Sequence, residues 1–149
     1  MPEVIHEVIR TTKLLIHDKK IEFVFQNKSR DIRAFEFNRI KIAMAIKNIV
    51  SNAIDYTKEG KITITLLEDN NHAEIHITDT GIGMSQETRE HLFTKFYRSE
   101  QARKMETDRS GLGLYIVKNI IDDHKGTIHI QSEEGKGTEV TVRVPMNPA

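Results

Sequence analysis

The chain has 149 residues, and its 22 lysine and arginine residues are balanced by 22 aspartate and glutamate residues. This balance argues against a general nucleic-acid-binding domain, and the absence of cysteine excludes disulfides and thiolate metal sites. The longest apolar runs are far too short to span a bilayer, so we expect no membrane contact by this domain. The length is typical of one domain, and we expect residues 1–149 to form a single unit.

The first half of the chain begins with apolar residues at helical spacing, which predict a helix over about residues 2–18. Two short segments rich in aromatic and β-branched residues, 21–26 and 33–37, are predicted to be strands. Asn38 is a plausible N-cap for a second helix that ends near Tyr56.

The middle of the chain alternates polar and apolar residues over 61–67 and 73–79, which predicts a hairpin. A glycine-containing loop follows at residues 79–85, and a short helix begins at about Gln86. Residues 99–110 are polar and aperiodic, and are predicted to form a loop.

The last part of the chain predicts a third helix over about 111–123 and a second hairpin, formed by residues 126–132 and 137–145. Helices and hairpins therefore alternate along the chain. This order indicates an α+β fold, a two-layer sandwich with helices on one face of a mixed, mostly antiparallel sheet.

Three poor helix formers, Asn48, Asn52 and Asp55, occur within the second predicted helix. At about 100° per residue they lie along the flank of an apolar stripe and not on the solvated side. That stripe comprises Ile42, Ala45, Ile46, Ile49 and Ala53. Amide and carboxylate oxygens suit Mg²⁺, which takes few protein ligands alongside substrate phosphates. The helix alone leaves two interpretations open, a magnesium site and ordinary half-exposed polar residues.

Two segments pair glycines in a way that suits a phosphate ligand. DTGIGM, at 79–84, lies at a strand end, where glycines permit a tight turn and close approach of the backbone to a ligand. GLGLYIVKNI, at 111–120, places two glycines at a helix start, where free N–H groups favour phosphate. Gln86 and Ile116 occupy the third glycine position of a dinucleotide fingerprint, and no segment has a P-loop ending. The segments therefore indicate a phosphate site of another type, or none.

Four segments in this order, NIVSNAIDYT, DTGIGM, LFTKFYR and GLGLYIVKNI, resemble the N, G1, F and G2 boxes of sensor histidine kinases. These boxes belong to the catalytic ATP-binding domain, which has the Bergerat fold shared with gyrase, Hsp90 and MutL. The resemblance covers about residues 4–145. It implies that the domain binds ATP and Mg²⁺ and donates the γ-phosphoryl group to a histidine on a separate phosphoacceptor and dimerisation domain of the same kinase. It also implies a response regulator downstream and a cytoplasmic location.

The resemblance implies a role for individual residues. Asn52 matches the Mg²⁺-binding asparagine, and Asp79 matches the aspartate that accepts a hydrogen bond from the adenine amino group, a role suited to a carboxylate. The implied catalytic residues are Asn48, which faces the phosphates, and Arg98, a lid arginine whose guanidinium suits the γ-phosphate. The other implied nucleotide-binding residues are Tyr56, Gly81, Gly83, Tyr97, Gly111, Leu112, Gly113, Leu114 and Thr138. The polar segment at about 94–110 is expected to be a lid that orders over the nucleotide.

Asp55 departs from the family pattern, which usually has Lys, Arg or His at this position. A carboxylate cannot pair with a phosphate, so we expect Asp55 to hold a metal-bound water or to point away from the ligand. The resemblance nevertheless places it among the nucleotide-binding residues.

Two other functions remain open: a stand-alone serine kinase of the anti-sigma-factor type and an ATP-hydrolysing member of the superfamily. Both usually have a glutamate as general base at the position of Asn48, and an amide cannot accept a proton at neutral pH. A domain that has lost ATP binding is disfavoured because Asn52, Asp79 and the glycines are present.

The phosphoacceptor histidine is expected to lie outside this chain. His6-Glu7 has the dipeptide found at such sites, but no proline follows it in the expected segment, and this segment matches the start of the ATP-binding domain. No histidines are paired at metal-ligand spacing. We therefore expect the phosphoacceptor and sensor domains to be absent and the chain to be the catalytic part of a larger, membrane-anchored kinase.

Overall fold

The computed structural model describes residues 1–30, 32, 34–95, 97 and 113–146. The helices are α1 (Pro2–Thr12), α2 (Arg39–Asp55), α3 (Gln86–Glu90) and α4 (Gly113–Asp123). The strands are β1 (Lys20–Asn27), β2 (Glu59–Asp69), β3 (His72–Asp79), β4 (Thr127–Glu133) and β5 (Gly137–Pro145).

The five strands form one sheet in the order β1-β2-β3-β5-β4. β1 is parallel to β2, and the other neighbouring pairs are antiparallel. Alternate residues of the central strands are buried, as in β3, so one face of the sheet is apolar. Buried residues of α1, α2 and α4 pack in the same core as that face. This arrangement confirms the predicted α+β sandwich with a mixed, mostly antiparallel sheet.

α2 lies in contact with both α1 and α4. Its predicted N-cap is confirmed, because the Asn38 side chain accepts a hydrogen bond from the Lys41 N–H at 3.0 Å. His124, just after α4, donates from Nδ1 to the Ile120 carbonyl at 2.7 Å and accepts at Nε2 from the Asn38 N–H at 3.1 Å. A salt bridge of 3.0 Å between Lys41 and Asp123 joins the same two helix ends. These contacts hold the C-terminal end of α4 against the N-terminal end of α2.

The predicted strand at 33–37 is wrong, since the described residues of this segment form no strand. Phe35 makes only an isolated bridge and is buried in the core, and its ring lies 5.0 Å from that of Phe37. Aromatic side chains can be buried from a strand or from an irregular segment. Here they anchor a connecting segment to the core without extending the sheet.

Other boundaries differ less from prediction. α1 ends at Thr12 and continues as one 3₁₀ turn, Lys13–Leu15, and α3 ends at Glu90. The predicted start of the third helix at Gly111 lies outside the described residues. No helix in the described part of the chain combines the length and the apolar character needed to cross a bilayer.

Candidate functional site

The end of β3 places a buried carboxylate beside a loop. Asp79, its last residue, is 8% exposed, and its Oδ1 accepts a hydrogen bond from the Gly81 N–H at 2.9 Å. The backbone N–H of Thr138 also bonds to this carboxyl group. Burial nevertheless raises the pKa of Asp79 above its usual value, and the two hydrogen bonds only partly oppose that rise. No cation among the described residues lies within ion-pair distance of it. A neutral hydrogen-bond donor on a ligand therefore suits this group.

Gly81 lies in a narrow space lined by three oxygen atoms, which we call the Gly81 cradle. A Cβ atom at this position would lie 2.3 Å from the Tyr56 carbonyl oxygen, 2.8 Å from Thr57 Oγ1 and 2.9 Å from Asp79 Oδ1. The Ile82 N–H donates to the same Tyr56 carbonyl at 3.1 Å, which fixes the loop to the end of α2. Only glycine fits where these three oxygens converge.

Thr57 is a candidate residue that sequence reasoning missed. Its side chain is fully buried, and Oγ1 has no hydrogen-bond partner in the described part of the protein. A buried polar atom without a partner is costly, which makes it a candidate contact for a ligand or an ordered water. The sequence did contain a signal for Thr57, because it directly follows Tyr56 within the segment NIVSNAIDYT.

The loop after β3 is held from its other side by the β4–β5 turn. Gly83 has φ +67°, and a Cβ atom there would lie 2.0 Å from the Glu133 carbonyl oxygen. The Gly135 N–H donates to the Ile82 carbonyl at 2.7 Å. Gly83 is therefore required both by its backbone conformation and by the close approach of the turn.

Ser132 joins this loop to β5 and is a second residue that the sequence did not single out. Its hydroxyl accepts from the Met84 N–H at 2.8 Å, donates to the Gly137 carbonyl at 3.0 Å, and lies 2.8 Å from Thr138 Oγ1. Thr138 pairs with Ser132 on one side and with Asp79 on the other. The predicted hairpin contained the signal, because its register places Ser132 opposite Thr138.

The polar residues of α2 lie at the rim of the core, as their spacing predicts. Asn48, Asn52 and Asp55 are half-buried, as is Tyr56 at the end of the helix. Neither asparagine side chain is seen to hydrogen-bond with another described residue. A Cβ atom at Gly113 would lie 3.6 Å from Asn48 Oδ1, so Asn48 faces the start of α4. Free amide oxygens beside a helix N-terminus suit a metal-bound phosphate.

The structure describes only some of the remaining predicted site residues. Leu114 is half-buried and packs against the core. The Tyr97 ring lies 5.1 Å from that of His91, and no contact with the Asp79 region is seen for it among the described residues. Arg98, Gly111, Leu112 and most of the predicted lid lie outside the described residues. The described residues contain no group of three or more His, Cys, Asp or Glu side chains that could hold a metal.

Known proteins resemble this chain over most of its length. A family model described as "Histidine kinase-, DNA gyrase B-, and HSP90-like ATPase" matches residues 37–148. The sensor-like histidine kinase SenX3 of Mycolicibacterium smegmatis is 38% identical over 108 residues, which cover 72% of this chain and 28% of that protein. The sensor histidine kinase YclK of Bacillus subtilis is 40% identical over 100 residues, 66% of this chain and 21% of that protein. The chain thus spans about a quarter of the length of these curated relatives.

Solved structures agree over nearly the whole chain. The nucleotide-free catalytic domain of the histidine kinase ThkA aligns with a TM-score of 0.83 at 30% identity, covering 98% of this chain and 92% of that one. The mycobacterial sensor histidine kinase MprB aligns with a TM-score of 0.80 at 26% identity, covering 100% of this chain and 96% of that one.

Proposed function

Because the chain belongs to the histidine kinase-, DNA gyrase B- and HSP90-like ATPase family, whose members are ATP-binding domains, we propose that it is the catalytic domain of a sensor histidine kinase. In this proposal it binds ATP with Mg²⁺ and donates the γ-phosphoryl group to a histidine on a separate phosphoacceptor and dimerisation domain of the same kinase. A response regulator acts downstream. The relatives are named sensor histidine kinases, and this chain spans only a part of them, which supports a larger kinase. A cytoplasmic location of this portion is proposed on the sequence resemblance alone.

The buried Asp79 carboxylate beside the Gly81 cradle supports this proposal most directly. Adenine has an exocyclic amino group that donates hydrogen bonds, and an ionised carboxylate only accepts them. Asp79, Thr57 and the glycine-lined loop would hold the base, with Thr138 at its edge. The absence of a cation near Asp79 in the described structure leaves its charge available to the ligand.

The face shared by α2 and α4 suits the phosphates. Asn52 would provide an amide oxygen to Mg²⁺, and the N–H groups at the start of α4 would face the anionic end of the nucleotide. Arg98, Gly111 and Leu112 are proposed for this region on the sequence resemblance alone. Bound ATP would supply the phosphoryl group, and its transfer depends mainly on positioning and charge neutralisation.

Asn48 distinguishes this site from those that activate water. Its amide cannot take a proton at neutral pH, so the site lacks a general base at this position. An imidazole nucleophile has a lone pair at neutral pH and does not need such a base. Asn48 therefore favours transfer to histidine over hydrolysis of ATP or transfer to serine.

We expect Asn52→Ala to weaken ATP binding about tenfold in the presence of Mg²⁺, the loss expected for one charge-assisted ligand. In EDTA the same substitution should have little effect, because no metal is present to be coordinated. Calorimetry under both conditions measures the difference. Asn119→Ala, at an exposed position of α4, is the matched control. An equal loss with and without Mg²⁺ would contradict the assignment of Asn52 to the metal.

Phosphoryl transfer from γ-labelled ATP tests the proposed function as a whole. The chain alone should bind ATP but should not label itself, because the acceptor lies on another domain. Linking the histidine-bearing helical hairpin of the same kinase should restore labelling. The product should be acid-labile and base-stable, as phosphohistidine is. Strong labelling of the isolated chain, or an acid-stable product, would favour the serine-kinase alternative.

A further inference from the structure

The C-terminus of α2 lacks a cation of its own. The last carbonyls of a helix have no partners within the helix, and they form the negative end of its dipole. Basic side chains in the last turn often satisfy them, but α2, which is described throughout, has none there. This end of α2 is also where Asp55 and Tyr56 enter the candidate site.

Lys19 provides the missing charge from a distant part of the chain. Its Nζ donates to the Ile54 carbonyl at 2.7 Å and lies 3.3 Å from the Asp55 carbonyl. The Lys19 N–H is itself bound to the Ile16 carbonyl at 3.0 Å. The next residue, Lys20, begins β1 and pairs with Glu59 at the start of β2. The sheet and the preceding turn thus fix the backbone from which the half-buried Lys19 side chain reaches the end of α2.

The next carbonyl along the chain, that of Tyr56, holds the loop that follows Asp79. Tyr56 O accepts the Ile82 N–H and limits the space at Gly81. Thr57, with its unpartnered buried hydroxyl, is the next residue. A shift of the last turn of α2 would therefore move the Tyr56 carbonyl, the Thr57 hydroxyl and the loop together.

We propose that Lys19 is a positioning residue for the nucleotide site, an inference that rests on the proposed function. Its ammonium group fixes the last turn of α2 and, through the Tyr56 carbonyl, the loop that follows Asp79. It does not touch the nucleotide. Its loss should change the affinity for ATP and not the rate of transfer once ATP is bound.

The substitution Lys19→Met keeps an unbranched side chain and removes the charge. We expect it to weaken ATP binding about threefold to tenfold, as the loss of a partly exposed charged hydrogen bond would. KM for ATP should rise by the same factor, and kcat with the linked histidine hairpin should change less than about twofold. Lys19→Arg should restore most of the affinity. Lys20→Met, at an adjacent exposed position, should have no effect.

Amide hydrogen exchange in the nucleotide-free protein provides a readout that does not depend on activity. Exchange at Ile82 should be several-fold faster in Lys19→Met than in the wild type or Lys20→Met, because Ile82 donates to the Tyr56 carbonyl. Val144→Ala removes core volume at the opposite end of β5 from Thr138, and serves as a destabilised control. It should lower Tm without selective exchange at Ile82 and without loss of ATP affinity.

Three outcomes decide the inference. Unchanged Ile82 exchange and ATP affinity in Lys19→Met would overturn it. The same changes in Val144→Ala would also overturn it, since the effect would then follow from stability alone. If the wild-type chain does not bind ATP, the proposed function fails, and selective exchange at Ile82 still decides whether Lys19 positions the loop.

Discussion

Asp79→Asn should weaken ATP binding by about tenfold to a hundredfold while leaving the fold at least as stable as the wild type. The loss of a charged acceptor for a buried donor costs about 1.5–3 kcal/mol. Asparagine also presents an amide N–H₂ that would meet the amino group of adenine as donor against donor. The substitution nearly preserves the volume and keeps an oxygen that can accept from the Gly81 N–H.

We expect Asp79→Asn to raise the stability of the free protein although it lowers the affinity for ATP. Burial raises the pKa of Asp79, so the folded protein holds this proton more tightly than the unfolded chain. The contribution of Asp79 to stability is full below its unfolded pKa and is lost as pH rises to the raised folded pKa. At neutral pH the ionised group therefore destabilises the free protein, and Asp79→Asn removes that cost.

Calorimetry and thermal unfolding, each measured between acidic and neutral pH, separate the two effects. ATP affinity of the wild type should fall on acidification at a higher pH than an ordinary aspartate would give, and the affinity of Asp79→Asn should stay nearly constant. Asp122→Asn alters only an exposed ion pair with Lys118 and is the control. Unchanged ATP affinity in Asp79→Asn would remove Asp79 from the adenine site.

Gly83→Ala should destabilise the protein by about 2–4 kcal/mol, near the upper range for single substitutions. Two effects add at this residue. The backbone has φ +67°, which costs a residue with a Cβ atom about 1–2 kcal/mol. The new methyl group would also lie 2.0 Å from the Glu133 carbonyl oxygen, a backbone atom that cannot rotate away.

Gly135→Ala isolates the conformational part of that cost. Gly135 has φ +81°, but a Cβ atom there would meet nothing within 4 Å. We therefore expect a loss of about 1–2 kcal/mol from Gly135→Ala, and a clearly larger loss from Gly83→Ala. Urea unfolding measures both. Equal losses of stability from the two substitutions would contradict a close contact between the β4–β5 turn and the loop at Gly83.

Local sequence patterns were sufficient for most of the secondary structure. Apolar periodicity located α2 and placed Asn48 and Asn52 on its flank. Alternation located β2 and β3, and Asn38 marked a helix start that the structure confirms. These features depend on residues within a few positions of one another, so one stretch of sequence contains the whole signal. The roles proposed for Asn48, Asn52 and Asp79 stay predictions.

Segment 33–37 shows where local patterns fail. Its aromatic composition suits a strand and a core-anchored connection equally, and only packing against the core distinguished them. Phe35 is buried without joining the sheet. The parallel pairing of β1 with β2 is likewise invisible locally, because α2 lies between them in the chain.

The sequence by itself determined the family, the order of the boxes and the residue types at the site. Only the tertiary structure decided which atoms meet there. Thr57 became a candidate because burial left its hydroxyl without a partner in the described structure, and Ser132 because register placed it beside Thr138. Lys19 reaches the end of α2 from 35 residues away. Burial and hydrogen bonding across such separations depend on how the elements pack, and no short stretch of sequence contains that information.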